Sequence, residues 1–175
     1  CEHMLCDEVS YKKTPFCIDN ETPVFSFVID GDEYDAKVKC WKLLVSTSKE
    51  KLSEKEGDMW DSGIVYDDNI STITYEGEEL KSKTTHYFRF FALCGTTKLI
   101  SKIGVFTTGI LLPSEWNCGF IGIPAEATPK FECPESEKVG LPSPYLRRSF
   151  TVSKPVVSAK AYATACGVYE LYLNG

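Results

Sequence analysis

The sequence predicts an all-β protein built on a β-sandwich, and three observations carry that expectation. Hydrophobic residues make up 43% and charged residues 25% of the 175, with only 12 Gly and 9 Pro, so the chain holds enough apolar material for a core. Long amphipathic helical patterns are almost absent; residues 47–55, with Glu50, Lys51, Leu52, Glu54 and Lys55, form the one candidate for a turn or two of surface helix. The rest reads as short apolar runs separated by turn signals, at the spacing of a sandwich.

Seven runs qualify as strands in the first part of the chain: residues 5–10, 24–29, 38–46, 63–66, 71–75, 85–94 and 103–107. Turn sequences separate them, among them Asp30-Gly31-Asp32, Gly77-Glu78-Glu79 and Cys94-Gly95-Thr96. Strand alternation places His86, Phe88, Phe90, Ala92 and Cys94 of the sixth run on the core side. Tyr87, Arg89, Phe91 and Leu93 then face outward, which is unusually apolar for a solvated face and predicts a neighbouring module or a partner surface.

A break follows near Gly109. Six of the nine prolines lie between Leu111 and Pro144, and the charge changes at the same place: residues 1–109 carry 13 basic and 19 acidic side chains, residues 110–175 six of each. The expected organisation is one sandwich over residues 1–109, followed over 110–175 by a linker and the first strands of a second module. Residues 145–152, 158–164 and 168–173 are the strand candidates there. Asn174-Gly175 after Tyr169-Glu170-Leu171-Tyr172-Leu173 reads as a type I′ hairpin turn without its return strand. That predicts a chain cut at a hairpin, whose unpaired strand associates with a second copy or with the remainder of a longer protein.

Net charge -6 and a pI near 5.0, with no basic cluster denser than Arg147-Arg148, point away from nucleic acid. The longest apolar runs, such as residues 109–113 and 25–29, fall well short of the roughly 20 residues that cross a bilayer, so no membrane partner is expected. Residues 1–4 show neither the basic start nor the apolar stretch of a signal peptide. Eight cysteines are scattered without close pairs, no C-x-x-C occurs, and His3 and His86 stand at no zinc-ligand spacing. Free thiols in a reducing, cytoplasmic setting are expected.

Candidate chemistry resolves into structural roles. His86 could act as a base, but its place at a strand start favours a structural corner. The cluster Asp30 to Asp35 lacks the Gly and Glu that a calcium loop needs at its sixth and twelfth positions, where Asp35 and Trp41 stand. Asp67-Asp68 and Glu78-Glu79 are adjacent pairs that on a strand point to opposite faces. No G-x-S-x-G elbow and no phosphate-binding glycine loop is present. Asn20-Glu21-Thr22 and Asn69-Ile70-Ser71 match the glycosylation sequon, a short pattern of frequent chance occurrence. Of the tryptophans that could stack on a sugar, Trp60 is expected to plug the sandwich edge and Trp116 to pack two modules together, with Trp41 the third. No residue is assigned as catalytic, cofactor-binding or metal-ligating.

The segment PYLRRSFTVSKPVVSAKAYATACGVYELYLNG at residues 144–175 resembles the opening of the N-terminal β-sandwich module of bacterial α-L-rhamnosidases, glycoside hydrolase family 78. WNCGFIGIP at residues 116–124 resembles the elements that introduce that module. TPVFSF at residues 22–27, MWDSGIV at 59–65 and FTTGIL at 106–111 resemble the fibronectin type III-like domain that precedes it. The resemblance implies a fibronectin type III/immunoglobulin-like β-sandwich followed by an incomplete jelly-roll-type sandwich. It also places catalysis, an inverting scheme with two carboxylates, in an (α/α)6 barrel outside this chain. Calcium and rhamnose ligands known in some relatives lie beyond Gly175, so none is carried over.

Three positions depart from the family's pattern. His86 stands where a corner Tyr is usual, six residues after Leu80, and its ring is expected to be buried and hydrogen-bonded to backbone near residues 80–83. Lys83 and Cys17 stand where glycines are usual. The resemblance implies the non-catalytic N-terminal region of an enzyme that releases terminal α-L-rhamnose from plant glycosides or polysaccharides. The partner would be the rest of that enzyme, with carbohydrate bound weakly at most. The competing reading is a free-standing adhesion or receptor-type sandwich that binds protein through exposed aromatics.

Overall fold

A computed structural model describes residues 3–6, 9–10, 16–28, 37–53, 56–67, 71–124 and 143–175. The chain divides into two compact units, Cys1–Trp116 and Asn117–Gly175. The first is an all-β sandwich. Its strands are β1 (His3–Cys6), β2 (Val9–Ser10), β3 (Phe16–Ile18), β4 (Val24–Val28), β5 (Val38–Ser46), β6 (Trp60–Asp61), β7 (Thr72–Thr74), β8 (Thr85–Cys94), β9 (Thr97–Ile100) and β10 (Gly104–Thr108). One short helix, α1 (Lys49–Ser53), follows β5, and a 3-10 turn, Pro113–Glu115, ends the unit. The smaller sheet runs β2-β1-β4-β7, and the larger runs β3-β10-β8-β5-β6 with β9 also on β8.

The two longest strands pair antiparallel along almost their whole length, from Val38 opposite Cys94 to Ser46 opposite Tyr87. β8 alternates as a strand must when one face is buried, whereas β5 is buried on both faces from Leu43 to Ser46. His86, Phe88, Phe90, Ala92 and Cys94 are buried, and the residues between them are half-exposed, which is the predicted alternation. The core gathers Phe25 from β4, Leu43 and Val45 from β5, Ile73 beside β4, and Phe106 from β10 around Phe88 and Phe90. Phe25 meets Phe88 at 5.1 Å and Phe106 at 5.8 Å, tilted and edge-on, the geometries that aromatic quadrupoles prefer.

The expected runs 38–46 and 85–94 match β5 and β8 to the residue. Within the expected run 5–10, β1 pairs antiparallel with β2, Leu5 opposite Ser10 and Cys6 opposite Val9. Residues 63–66 do not form the expected strand. Gly63 takes a left-handed φ of 66°, leaving one isolated bridge between Val65 and Trp41, and the edge strand lies earlier, at β6. Expected helix 47–55 shortens to α1 within the described residues. β3 and β9 were not foreseen; β3 is three residues long and pairs parallel with β10 across a register shift.

The described part of the second unit holds no strand or helix, which corrects the three strands expected at 145–152, 158–164 and 168–173. A strand exists only by exchanging backbone hydrogen bonds with a neighbour, and no described segment of this unit supplies one. Asn174 and Gly175 nevertheless have positive φ, 61° and 102°, the sign a type I′ turn requires.

Lys83 and Cys17, the two non-glycines at glycine positions, have φ of 60° and 66°. The backbone keeps the left-handed turn although a side chain with a Cβ occupies it. Lys83→Gly is therefore expected to raise stability by about 0.5–1 kcal/mol, the relief of left-handed strain less glycine's larger unfolded entropy, read as a higher urea midpoint. Gly104 is different: an added Cβ would sit 2.2 Å from the Phe88 ring. Gly104→Ala is expected to cost about 1–3 kcal/mol by overpacking in the same assay.

Candidate functional site

Two places in the first unit concentrate polar chemistry: the corner where β8 begins, and an acidic cleft at one end of the sandwich. At the corner, the Thr108 hydroxyl donates to the Lys81 carbonyl at 2.6 Å and accepts from the Thr84 N–H at 2.9 Å. Lys83 N–H donates to the Gly109 carbonyl at 2.8 Å, and Gly109 N–H to Ile18 at 2.7 Å. Ser82 Oγ accepts from Leu111 N–H at 2.8 Å and donates to the Glu115 carboxylate. The first unit thus runs past Gly109 as far as the turn at Pro113–Glu115.

His86 is buried, 1% exposed, and stacks on Phe106 at 5.2 Å. Neither ring nitrogen has a hydrogen-bond partner, so the expected bond to residues 80–83 is absent. Thr108 takes that role because its hydroxyl reaches both Lys81 and Thr84 across the strand ends, whereas the imidazole points into the aromatic core. Burial pushes the His86 pKa below its usual value, and the charge of Asp58 opposes this only in part. A ring held neutral among aromatics, with no nucleophile or carboxylate bonded to it, has no arrangement for acid–base catalysis.

The cleft, about 410 Å³, is lined by Gly57 to Asp61 and Glu76 to Glu79. Asp58 is its most constrained group. Its carboxylate accepts from Ser46 Oγ, from Thr47 N at 2.9 Å and Oγ1 at 2.7 Å, and from Lys51 Nζ at 2.6 Å. Burial raises its pKa, but these donors together outweigh it and hold the group well below the usual carboxylate range. Asp61 pairs with Lys42 at 2.8 Å and accepts from Gly63 N–H. Burial again works against the charge, and Lys42 with the Gly63 amide keeps its pKa low. Tyr75 closes the floor: its ring lies edge-on to Trp60 at 5.4 Å and its hydroxyl donates to the Glu78 carbonyl at 2.7 Å. Burial, then the charges of Glu78 and Asp58, push the phenol up to about 12.

Hydrolysis by a carboxylate pair needs one member kept protonated by a raised pKa. Asp58 and Asp61 are both shifted the other way and spend their oxygens on structural donors, so neither of these two is such an acid. Glu78 and Glu79 lie on its rim in the turn expected for them, and Asp67 lies outside strands; Asp68 falls outside the described residues, as do the cluster Asp30 to Asp35 and the sequon at Asn69. The Asn20 sequon is exposed, its amide oxygen accepting from Thr22 N–H at 3.0 Å. Among the described residues no group of three or more His, Cys, Asp or Glu could hold a metal. Cys17, Cys40, Cys94, Cys118 and Cys166 are unpaired.

The tryptophans divide as their positions dictate. Trp41 lies in the core, stacked on Phe90 at 6.4 Å, and Trp60 sits half-buried on edge strand β6, as expected for a plug. Trp116 caps the 3-10 turn. The feature missed in the sequence is the Thr108–Ser82 corner; the signal available was the FTTG run, since a Thr at a strand end bonds backbone readily.

His86 and Asp58 make stability depend on pH with the same sign. Both have lower pKa values folded than unfolded, so the unfolded chain takes up protons first and acid favours unfolding. The His86 contribution is complete above its ordinary pKa near 6.5 and is lost as pH falls below it; that of Asp58 is lost below about 4. Urea midpoints measured from pH 7.5 to 5 are expected to fall, and His86→Phe is expected to flatten that fall. His86→Ala is expected to cost about 1–3 kcal/mol through lost packing, with no hydrogen bond to lose.

A family model described as "Rha78A-like, N-terminal immunoglobulin domain" matches residues 7–112. The chain is 28% identical over 178 residues to an α-L-rhamnosidase of Formosa agariphila, aligning 94% of this chain with 19% of that protein. An α-L-rhamnosidase of an Alteromonas species is 29% identical, over 90% of this chain and 19% of its own length. Among solved structures, the α-L-rhamnosidase of Dictyoglumus thermophilum superposes with a TM-score of 0.59 at 25% identity, covering 65% of this chain and 13% of that one. That of Streptomyces avermitilis, complexed with L-rhamnose, superposes at 0.61 and 24% identity over 71% of this chain and 12% of its own, a likeness of fold. The chain thus spans about a fifth of the curated relatives it matches. With an immunoglobulin-like sandwich whose strands and corner run through the matched residues, the chain belongs to the Rha78A-like N-terminal immunoglobulin domain family.

Proposed function

We propose that this chain is the non-catalytic N-terminal region of a longer glycoside hydrolase, whose remainder removes terminal α-L-rhamnose from plant glycosides or polysaccharides. One observation carries the reading: 90–95% of the chain aligns with only 17–19% of four α-L-rhamnosidases, leaving most of each enzyme outside the match. The cleft chemistry supports it, because Asp58 and Asp61 are committed as structural anions. In this role the sandwich is a rigid module that holds or shields its neighbours. The unpaired cysteines support a reducing, cytoplasmic setting, and titration of all eight thiols in denaturant tests it.

The second unit bears on partners. Val168, Tyr169, Leu171, Tyr172 and Leu173 are all more than half exposed, and so are Phe120, Ile121, Phe150 and Val157. Contiguous apolar exposure of this kind marks a surface that is covered in the working protein. The cover is the rest of the enzyme; in the isolated chain a second copy substitutes for it.

The clean 175-residue chain is expected to release no nitrophenol from p-nitrophenyl α-L-rhamnoside, and the full-length polypeptide is expected to release it steadily. Turnover by the short chain, or none by the long one, would overturn the reading. Sedimentation velocity is expected to show the 175-residue chain self-associating, and a stable monomer at all concentrations would remove the substitution by a second copy.

A further inference from the structure

The outer face of the larger sheet is covered over one half only. Leu44 and Leu52 are both fully buried yet lie outside the main core cluster. Leu44 sits between Leu43 and Val45, which point inward, so it points outward, and α1 contacts β5 and β8 there. Lys49 of α1 extends over the Tyr87 ring at 5.6 Å. The Asp58 carboxylate ties Ser46, Thr47 and Lys51 of α1 together over this half.

The other half is open. Register places Ile100, Phe91 and Lys42 side by side across β9, β8 and β5, with Lys98, Leu93 and Cys40 in the next row. Val65 bridges Trp41 and packs on the core, which turns Ile64 and Tyr66 outward at the same edge. Ile64 is 63%, Tyr66 80% and Ile100 53% exposed. A solvated antiparallel face normally alternates to polar residues, and here three neighbouring chain segments, β8, β9 and residues 64–66, set Phe91, Leu93, Ile100, Ile64 and Tyr66 around Lys42 and Lys98. Lys42 is neutralised by Asp61. Arg89 is not: half-exposed, it lies over the Phe91 ring at 5.7 Å and donates through Nε to the Ser101 carbonyl at 3.3 Å, and among the described residues it has no carboxylate partner. A guanidinium anchored in an apolar patch is poised for a carboxylate from a docked surface.

We propose that this open half is the surface by which the immunoglobulin-like unit docks on another domain of the longer polypeptide, an apolar surface that offers a carboxylate to Arg89. This rests on the reading of the chain as part of a larger enzyme. That reading also selects the occupant, because about four-fifths of each matched rhamnosidase lies outside the aligned region and supplies domains in cis. A tethered domain also reaches the face at high effective concentration, without needing the affinity of a free partner.

Hydroxyl-radical footprinting with mass spectrometry compares the 175-residue chain with the full-length polypeptide. Oxidation of Ile64, Tyr66, Phe91 and Ile100 is expected to fall about fivefold in the long protein, as for residues at the dry centre of an interface. Arg89→Glu in the long protein is expected to restore much of that labelling, with circular dichroism of the same variant in the short chain checking the fold. Equal labelling of the two wild-type proteins would overturn the proposal. Protection that already appears in the short chain and rises with its concentration would also overturn it, assigning the face to a second copy. Rhamnosidase activity, assayed in the same long sample, reports separately on the enzyme reading: an inactive but protected protein keeps the docking surface and loses the proposed activity.

Discussion

The antiparallel pairing of β5 with β8 is the constraint on which the rest of the molecule depends. Side chains on a strand have a period of two, so the register that runs from Cys40 to Ser46, beyond the shift between Val38 and Cys40, assigns those residues and their β8 partners to a face. Phe88 and Phe90 go inward to meet Phe25, Phe27 and Phe106, and Arg89 and Phe91 go outward. A slip of one residue would exchange the two sets, burying Arg89 without an anion and exposing three core rings. Gly104 closes the arrangement on the next strand, since only a residue without Cβ lets β10 lie against the Phe88 ring.

Around that pair the fold uses small polar groups for geometry and keeps charge at the margins. Thr108 and Ser82 tie residues 81–84 to 108–115 through hydroxyls that each donate and accept. Asp58 ties the α1 excursion to the end of β5. Such carboxylates are useful to the fold because they stay ionised, and for the same reason they are useless as proton donors to a glycosidic oxygen. His86 is the exception to the economy of polar groups. It is buried with both nitrogens unpaired, at a position where the related pattern carries a tyrosine, and the Thr108 corner makes the hydrogen bonds that the imidazole does not.

A sandwich organised in this way is suited to rigidity more than to chemistry. The acidic cleft is lined in part by two glycines, Gly57 and Gly77, with no room for a Cβ at either. What varies over the surface is how much apolar area is left uncovered. α1 removes Leu44 from solvent, while Tyr66, Ile64 and Ile100 remain outside. The matched α-L-rhamnosidases are several times this length, and the proposed docking of a further domain would account for that uneven cover.

The sequence by itself determined the class of fold, both long strands to the residue and the inward set of β8, because these are the longest strand-like runs and each finds its ladder in the other. The family resemblance also marked Lys83 and Cys17 as standing where glycines are usual, and the structure gives both a positive φ. The sequence did not reveal β3, β6 and β9, which are too short for a period to show and exist only because a longer strand offers backbone groups to pair with. Nor could it tell that the alternating runs of residues 145–173 lack strands, since alternation states a preference and a ladder needs a second participant. The exchange of roles at the corner was decided by tertiary structure alone: which of His86 and Thr108 reaches the carbonyls of residues 81–84 depends on where β10 lies against β8, a relation between segments some twenty residues apart.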